Sequence, residues 1–292
     1  MVGIIGGSGL GDALGAQTRG QAHSIDTPFG PTSAPIVTAR TDGVDIAFLS
    51  RHGPGHTIGP SWVPYRANIF ALKKLGVTHL IASGATGSLR ENIHPGELVV
   101  PDQVIDKTFR RDATFFDAGM ATHVEFAEPF CPELRKLLLD VAHQAKTKVH
   151  EQGTYVCMEG PQFSTVAESR LHRTWGADLI GMTCMPEAKL AREAEICYAL
   201  VALPTDYDCW KPHEPGKTKQ ALLAEIIGNM SHATERAIDL IQAAIARMGR
   251  EVPPDCPCQH VLELAIWSDK AKVDRAAVKR LGPIVGKYFE QP

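Results

Sequence analysis

No run of apolar residues in this 292-residue chain approaches the roughly 20 that a membrane-spanning helix requires, which argues against a helical membrane protein. The first residues, MVGIIGGSGLGDALG, lack the basic segment and long apolar stretch of a secretory signal, so a cytoplasmic location is expected. Net charge is scarce too: 30 Lys and Arg against 33 Asp and Glu leave −3 at neutral pH. No broad field then favours nucleic acid or an anionic membrane surface, and any affinity for phosphate has to be local. There is no internal repeat and no low-complexity tract. The seven cysteines are odd in number and show no framework spacing, which reads as reduced thiols rather than a disulfide scaffold. Cys256-Pro257-Cys258 stands apart; two loop thiols near the surface are expected there, with a strained local disulfide as the alternative.

What the chain does have is 44% hydrophobic residues, enough for a large core, and an alternation of strand and helix patterns. Strands are expected at 2–5, 45–49, 78–82, 154–158, 178–182 and 197–203, and helices over 64–75, 132–146, 186–195 and about 220–248. The last of these strands, CYALVAL, is apolar throughout, as a central strand covered on both faces should be. The reading is an α/β fold with one domain over residues 1–249. Residues 250–292 would form a linker and a short helical tail packed on the core.

Polar or glycine-rich segments follow these strands, and strand ends of open α/β sheets are where ligand sites gather. Gly6-Gly7-Ser8-Gly9 can offer backbone N–H groups and a hydroxyl to an anion, or simply make a tight turn. It fits neither G-x-G-x-x-G nor the P-loop, and Leu10 breaks the G-x-S-x-G elbow. Arg51-His52 supplies a guanidinium fork and a second donor suited to phosphate, with a surface ion pair as the plain alternative. His52 and His56 are four apart, but Gly53, Pro54 and Gly55 rule out a helical metal face, and no metal is expected. Residues 83–88 (SGATGS) form a small-residue loop able to approach a phosphate or sugar. Thr205-Asp206-Tyr207-Asp208 places two acids, Asp206 and Asp208, on one side of a strand end roughly 7 Å apart. Mutual repulsion should raise one pKa and make a general acid; solvated turn acids are the plain alternative. Phe163 could stack on a base, and Met182-Thr183 could touch a sugar and a phosphate, although both are also ordinary packing residues.

The blocks GIIGGSGL, SRHGPGHT, GSLRE, EPFCP, EGPQFST, RTWGADLIGMT, PEAKLAREA and TDYDCW occur in the order found in the trimeric purine nucleoside phosphorylases. Over about residues 2–248 the chain resembles that superfamily. The resemblance implies one α/β domain on a mixed, partly barrel-like sheet, assembled as a homotrimer. It implies phosphorolysis of a 6-aminopurine nucleoside, 5′-methylthioadenosine foremost, with inorganic phosphate as co-substrate and no cofactor. Phosphate would be held by Ser8, Arg51, His52, the Gly84-Ala85 backbone and Thr183. Ribose would lie on Met182, and the base near Phe163, Ser164 and Thr205, with Asp206 and Asp208 facing its N7/N6 edge. His123 would be lent across the subunit interface to the 5′ end of the nucleoside, and Lys219 would stand near that pocket. Two positions depart from the pattern: Gly84 replaces a common hydroxyl, and Lys219 is polar where some relatives are apolar. A 6-oxopurine phosphorylase is the competing reading within the class. Outside it stand an NAD-binding oxidoreductase and a non-catalytic nucleoside-binding protein.

Overall fold

The computed structural model describes residues 1–7, 20–145, 147–212, 216–251 and 255–289. Ser8, with the rest of 8–19, lies outside them. The first strand, β1 (Val2–Gly6), lies parallel between β4 (Val44–Ser50) and β5 (His79–Ser88). On the far side of β4 come β3 (Ile36–Thr41) and β2 (Gln21–His23), both antiparallel. β5 also pairs in parallel with the long β11 (Cys197–Asp206), and antiparallel at its end with β10 (Leu179–Gly181). From β10 the sheet runs on through β9 (Thr154–Met158) to β7 (Gln103–Lys107). The short β6 (Leu98–Val99) and β8 (Val149–His150) extend the β11 side.

Alternation along the central strands shows why both faces are covered. In β11, Tyr198, Leu200 and Ala202 enter one apolar layer, while Cys197, Ala199, Val201 and Leu203 enter the other. The first layer is closed by α1 (Tyr65–Lys74) and α4 (Cys184–Glu193). The second is closed by α2 (Pro132–Gln144) and α5 (Lys219–Met248). A fifth helix, α3 (Val166–Thr174), begins in a capping box in which Thr165 and Glu168 satisfy each other's backbone N–H groups. Only the later part of α5, from Ala233 on, carries buried residues; its first turns stand out from the core and leave Leu223 and Ile227 exposed.

Three expectations change here. Residues 83–88 are not a loop: β11 ladders along β5 as far as Gly87, so the glycine-rich stretch keeps a strand's hydrogen bonds on that side. Thr205 and Asp206 likewise belong to β11, with a register shift between Pro204 and Asp206. The helix expected over 132–146 ends at Gln144, with Ala145 as its C-cap. After α5 the chain forms α6 (Arg275–Arg280) and α7 (Gly282–Val285). Cys256 and Cys258 are buried in the α2/α5 layer, whereas Leu262, Leu281, Ile284 and Val285 are buried in the α1/α4 layer.

Candidate active site

β5 organises the site because its neighbour changes along its length. Its first half is flanked by β1 up to Ala82, and its end by β10 at Gly87 and Ser88. Between these points, residues 83–86 have a strand on the β11 side only, so part of their backbone is left to face a ligand. This gap is a switch point of the kind at which α/β sheets bind ligands.

At one end of the gap, Arg51 leaves β4 and is fully buried. Its Nε and Nη2 donate to the two carboxylate oxygens of Glu187, each at 2.8 Å, and Nη1 donates to the Ser83 carbonyl at 2.8 Å. Tyr198 Oη donates to Glu187 Oε1 at 2.9 Å. The fork expected to face phosphate is therefore spent on Glu187. Of the five guanidinium N–H groups, one on Nη1 and one on Nη2 remain. Burial works against the guanidinium charge, and Glu187 more than offsets that, so the pKa is raised. Gly7 passes so close that a Cβ there would sit 2.8 Å from the Ser83 carbonyl and 2.9 Å from Arg51 Nη1.

His52 also differs from the expected donor. Its Nδ1 lies 2.8 Å from the Ile58 carbonyl, which can only accept, so Nδ1 carries the proton and Nε2 presents a lone pair. Burial first, then the Arg51 charge, pulls its pKa down to about 4. His52 is neutral at pH 7, and Nε2 can receive a phosphate O–H rather than give one. Thr183, next to the gap, makes no capping bond from its side chain; a Cβ at Gly84 would lie 3.2 Å from its hydroxyl. Gly84 and Ala85 lie in the unflanked stretch itself.

At the other end, Asp206 and Asp208 converge on Gly87. A Cβ on Gly87 would meet Asp206 Oδ1 and Asp208 Cβ, each at 3.2 Å. Burial first, and then the Asp208 charge, raises the Asp206 pKa to about 6. Asp208 Oδ2 is buried with no hydrogen-bond partner, an acceptor waiting for a donor. The Thr205 hydroxyl donates to the Thr86 carbonyl at 3.3 Å, and Asn229 of α5 donates to the Thr205 carbonyl at 3.0 Å, which fixes the end of β11. The loop opposite is tied in by Cys209, whose thiol donates to the Ser164 carbonyl at 3.2 Å. Met182 lies against Gly160.

Three residues named from the sequence stay at the surface. Phe163 is 84% exposed, and Lys219 is exposed in the first turn of α5. His123 is exposed as well; its ring lies 4.7 Å from that of Trp267, and its backbone N–H donates to the Ala265 carbonyl.

Sequence reading missed Glu187 and Arg111. Glu187 is a fully buried acid on α4, and its one signal was an acid within an otherwise apolar helix face. Arg111 donates to the carbonyls of Met182 (2.6 Å) and Glu159 (2.7 Å) and to the Glu159 carboxylate (3.2 Å), joining the two loops that carry Met182 and Phe163. Nothing in its sequence neighbourhood announces that role. The expectation for Cys256 and Cys258 fails in a third way. Both are buried, because the turn that carries them packs inward against Cys131 and Cys197.

Comparison with known proteins places the chain in a family. The model of the phosphorylase superfamily matches residues 1–246. An S-methyl-5′-thioadenosine phosphorylase from Geobacter sulfurreducens is 47% identical over 289 residues, covering 99% of each chain. One from Cereibacter sphaeroides is also 47% identical, again over 99% of both. Among solved structures, a methylthioadenosine phosphorylase from an antarctic soil metagenomic library superposes with a TM-score of 0.88 at 42% identity, covering 97% of this chain and 98% of that one. A Schistosoma mansoni methylthioadenosine phosphorylase in complex with tubercidin gives 0.83 at 35% identity, over 91% and 98%.

Proposed function

Because this chain belongs to the phosphorylase superfamily, we propose that it uses inorganic phosphate to split the N-glycosidic bond of 5′-methylthioadenosine, giving adenine and 5-methylthioribose 1-phosphate. The observation that carries the reading is the pairing of two subsites on one strand. Arg51 grips β5 at Ser83, and the two acids close on it at Gly87. The two points are four positions apart along the strand, a span of at most roughly 14 Å, along which a nucleoside can lie with phosphate at its sugar end.

The chemistry follows from charge. As the glycosidic bond breaks, the sugar becomes oxocarbenium-like, and a phosphate anion near C1′ stabilises it. The purine leaves as a neutral molecule only if N7 gains a proton, and Asp206, with a pKa of about 6, is able to hold one and pass it on. Asp208, with its unpartnered oxygen, accepts from the exocyclic amine. An amide at position 206 would suit a 6-oxopurine better; the carboxyl favours adenine. Phosphate would be bound by the remaining Arg51 donors, His52, the Gly84-Ala85 backbone, Thr183 and Ser8. Met182 would contact the ribose, and Ser164 and Thr205 would border the base. No organic cofactor or catalytic metal takes part.

The assembly is inferred to be a homotrimer acting in the cytoplasm in purine and methionine salvage. Its support is the family resemblance together with the exposure of the two residues meant for the 5′ end of the nucleoside, His123 and Lys219. Phe163, meant for the base, and Leu223 and Ile227, in the first turns of α5, are exposed too, and His123 lies against Ala265 and Trp267 of the tail. The salvage role is consistent with the reaction, which returns a purine base and a sugar phosphate. Among the described residues no helix is long and apolar enough to cross a membrane.

The deciding experiment is release of free adenine from 5′-methylthioadenosine with and without phosphate. Adenine should appear only with phosphate, together with equimolar sugar 1-phosphate. Release at the same rate without phosphate would make the chain a hydrolase, and inosine outrunning methylthioadenosine would overturn the base assignment.

A further inference from the structure

Four cysteine sulfurs meet far from the catalytic gap. Cys131 caps the start of α2, Cys197 opens β11, and Cys256 and Cys258 flank Pro257 in the short turn that begins the tail. All four are buried, and their sulfur atoms all lie within 4.8 Å of one another; Cys131 Sγ and Cys256 Sγ are 3.5 Å apart. Cys197 and Asp206 stand at opposite ends of β11, nine residues and therefore roughly 30 Å apart.

We propose that Cys131, Cys197, Cys256 and Cys258 form a structural tetrathiolate site for a zinc ion. The distances carry the argument. A tetrahedral ion with Zn–S bonds of about 2.3 Å holds its ligand sulfurs about 3.8 Å apart, and these sulfurs already sit at that scale. Four free thiols can also pack as small apolar groups, yet chance packing would not aim four sulfurs from three remote segments at one point. The surroundings suit thiolates. The Leu134 N–H points at Cys131 Sγ at 3.4 Å, and Gln259 Nε2 points at Cys197 Sγ at 3.6 Å. Such N–H···S bonds orient ligands and offset the negative charge of the complex. Pro257 also restricts the turn between the two tail ligands.

On binding, the four thiols release their protons and each sulfur donates a pair to Zn²⁺; no oxidant or reductant is involved. The sulfur set and the tetrahedral scale point to zinc rather than to magnesium, calcium or copper(II). The role is mechanical. Two of the ligands come from the core and two from the start of the tail, so the ion pins residues 255–289 beneath the sheet.

The test is made on the full, untagged chain expressed in zinc-sufficient medium. Elemental analysis should find about one zinc per chain. An organomercurial should release that zinc as it titrates the cysteines, read with a chromogenic chelator. Protein grown with cobalt in place of zinc should show the intense bands of tetrahedral cobalt thiolate. Cys258→Ser and Cys131→Ser should lose the metal and lower Tm, with faster hydrogen exchange over 255–289, whereas Cys209→Ser should keep it. If a serine variant fails to fold, the mercurial and cobalt readings on the parent chain still decide. Zinc below about 0.1 per chain, with all seven thiols alkylated in denaturant, would overturn the proposal in favour of a reduced cluster. A mass two or four hydrogens light would overturn it in favour of disulfides, and stoichiometric iron would overturn the choice of zinc.

Discussion

Asp206 shows how much a single residue's surroundings decide. Its raised pKa means that the folded chain binds the proton more tightly than the unfolded chain, where the group titrates near 4. The stabilisation from the protonated acid is complete below about pH 4 and is lost as pH rises to about 6. A shift of about two units corresponds to about 3 kcal/mol. Asp206→Asn should therefore raise Tm at pH 8 while lowering turnover on methylthioadenosine by about 10²–10⁴-fold. Unchanged turnover would remove Asp206 from the mechanism. For the parent chain, kcat/KM should fall above about pH 6 as Asp206 ionises, and Asp208→Asn should move that limb to lower pH, because Asp208 helps hold the proton in place. Arg51 needs a more careful variant. Arg51→Ala strands a buried Glu187 carboxylate, at a cost of about 3–5 kcal/mol, so lost folding would be confused with lost phosphate binding. Replacing both residues by leucine should restore much of the Tm yet keep the phosphate KM raised by about 10–150-fold, the loss expected for a charged hydrogen bond. A double variant with a normal phosphate KM would make the pair purely structural. The two acids were legible in the sequence because they follow an apolar strand at spacing two. Glu187 was not, because the residue that needs it is 136 positions away.

At the level of elements, the strands were read well where apolar runs marked them, and badly where glycine and proline suggested that they had ended. Residues 83–88 look like a loop by composition, but β11 supplies hydrogen bonds along them, and no local pattern announces a partner that lies more than 110 residues ahead. Gly87 shows what the small residues in this strand are for. Its missing side chain leaves room for Asp206, Asp208 and Ile180, all within 3.2 Å of where a Cβ would be. Gly87→Ala should therefore push the acids off the base edge and lower kcat/KM for the nucleoside by roughly 10–100-fold, the scale of an overpacking cost of about 1–3 kcal/mol. Its phosphate KM should change little. Equal damage to both substrates would mean that β5 itself had shifted.

Among the described residues, Arg51 and the two acids mark the ends of the gap, while Phe163, Leu223 and Ile227 are left exposed. Light scattering should give a trimer. Mixing Asp206→Asn with His123→Ala subunits under exchange should restore some sites that hold both intact groups. Activity that stays at the sum of the two variants would show that His123 serves no neighbouring site, and a fully active monomer would end the shared-site idea. The resemblance of sequence blocks pointed to this assembly, whereas composition and periodicity are silent on it, since interface residues look like any exposed apolar side chains.

The Arg51–Glu187 pair has a consequence for the anion itself. Arg51 brings one positive charge and Glu187 one negative, and His52 is neutral at pH 7. Among the described residues, then, the cradle has no net charge with which to quench the phosphate. An incoming dianion keeps most of its field, held by directed hydrogen bonds alone. Ground-state affinity should be modest and should depend only weakly on ionic strength. The unspent charge is released on the sugar at the moment it turns cationic, when attraction lowers the barrier instead of deepening the well before it. On this view the carboxylate that blunts Arg51 is a device for speed, and Glu187→Gln should bind phosphate more tightly and turn over more slowly.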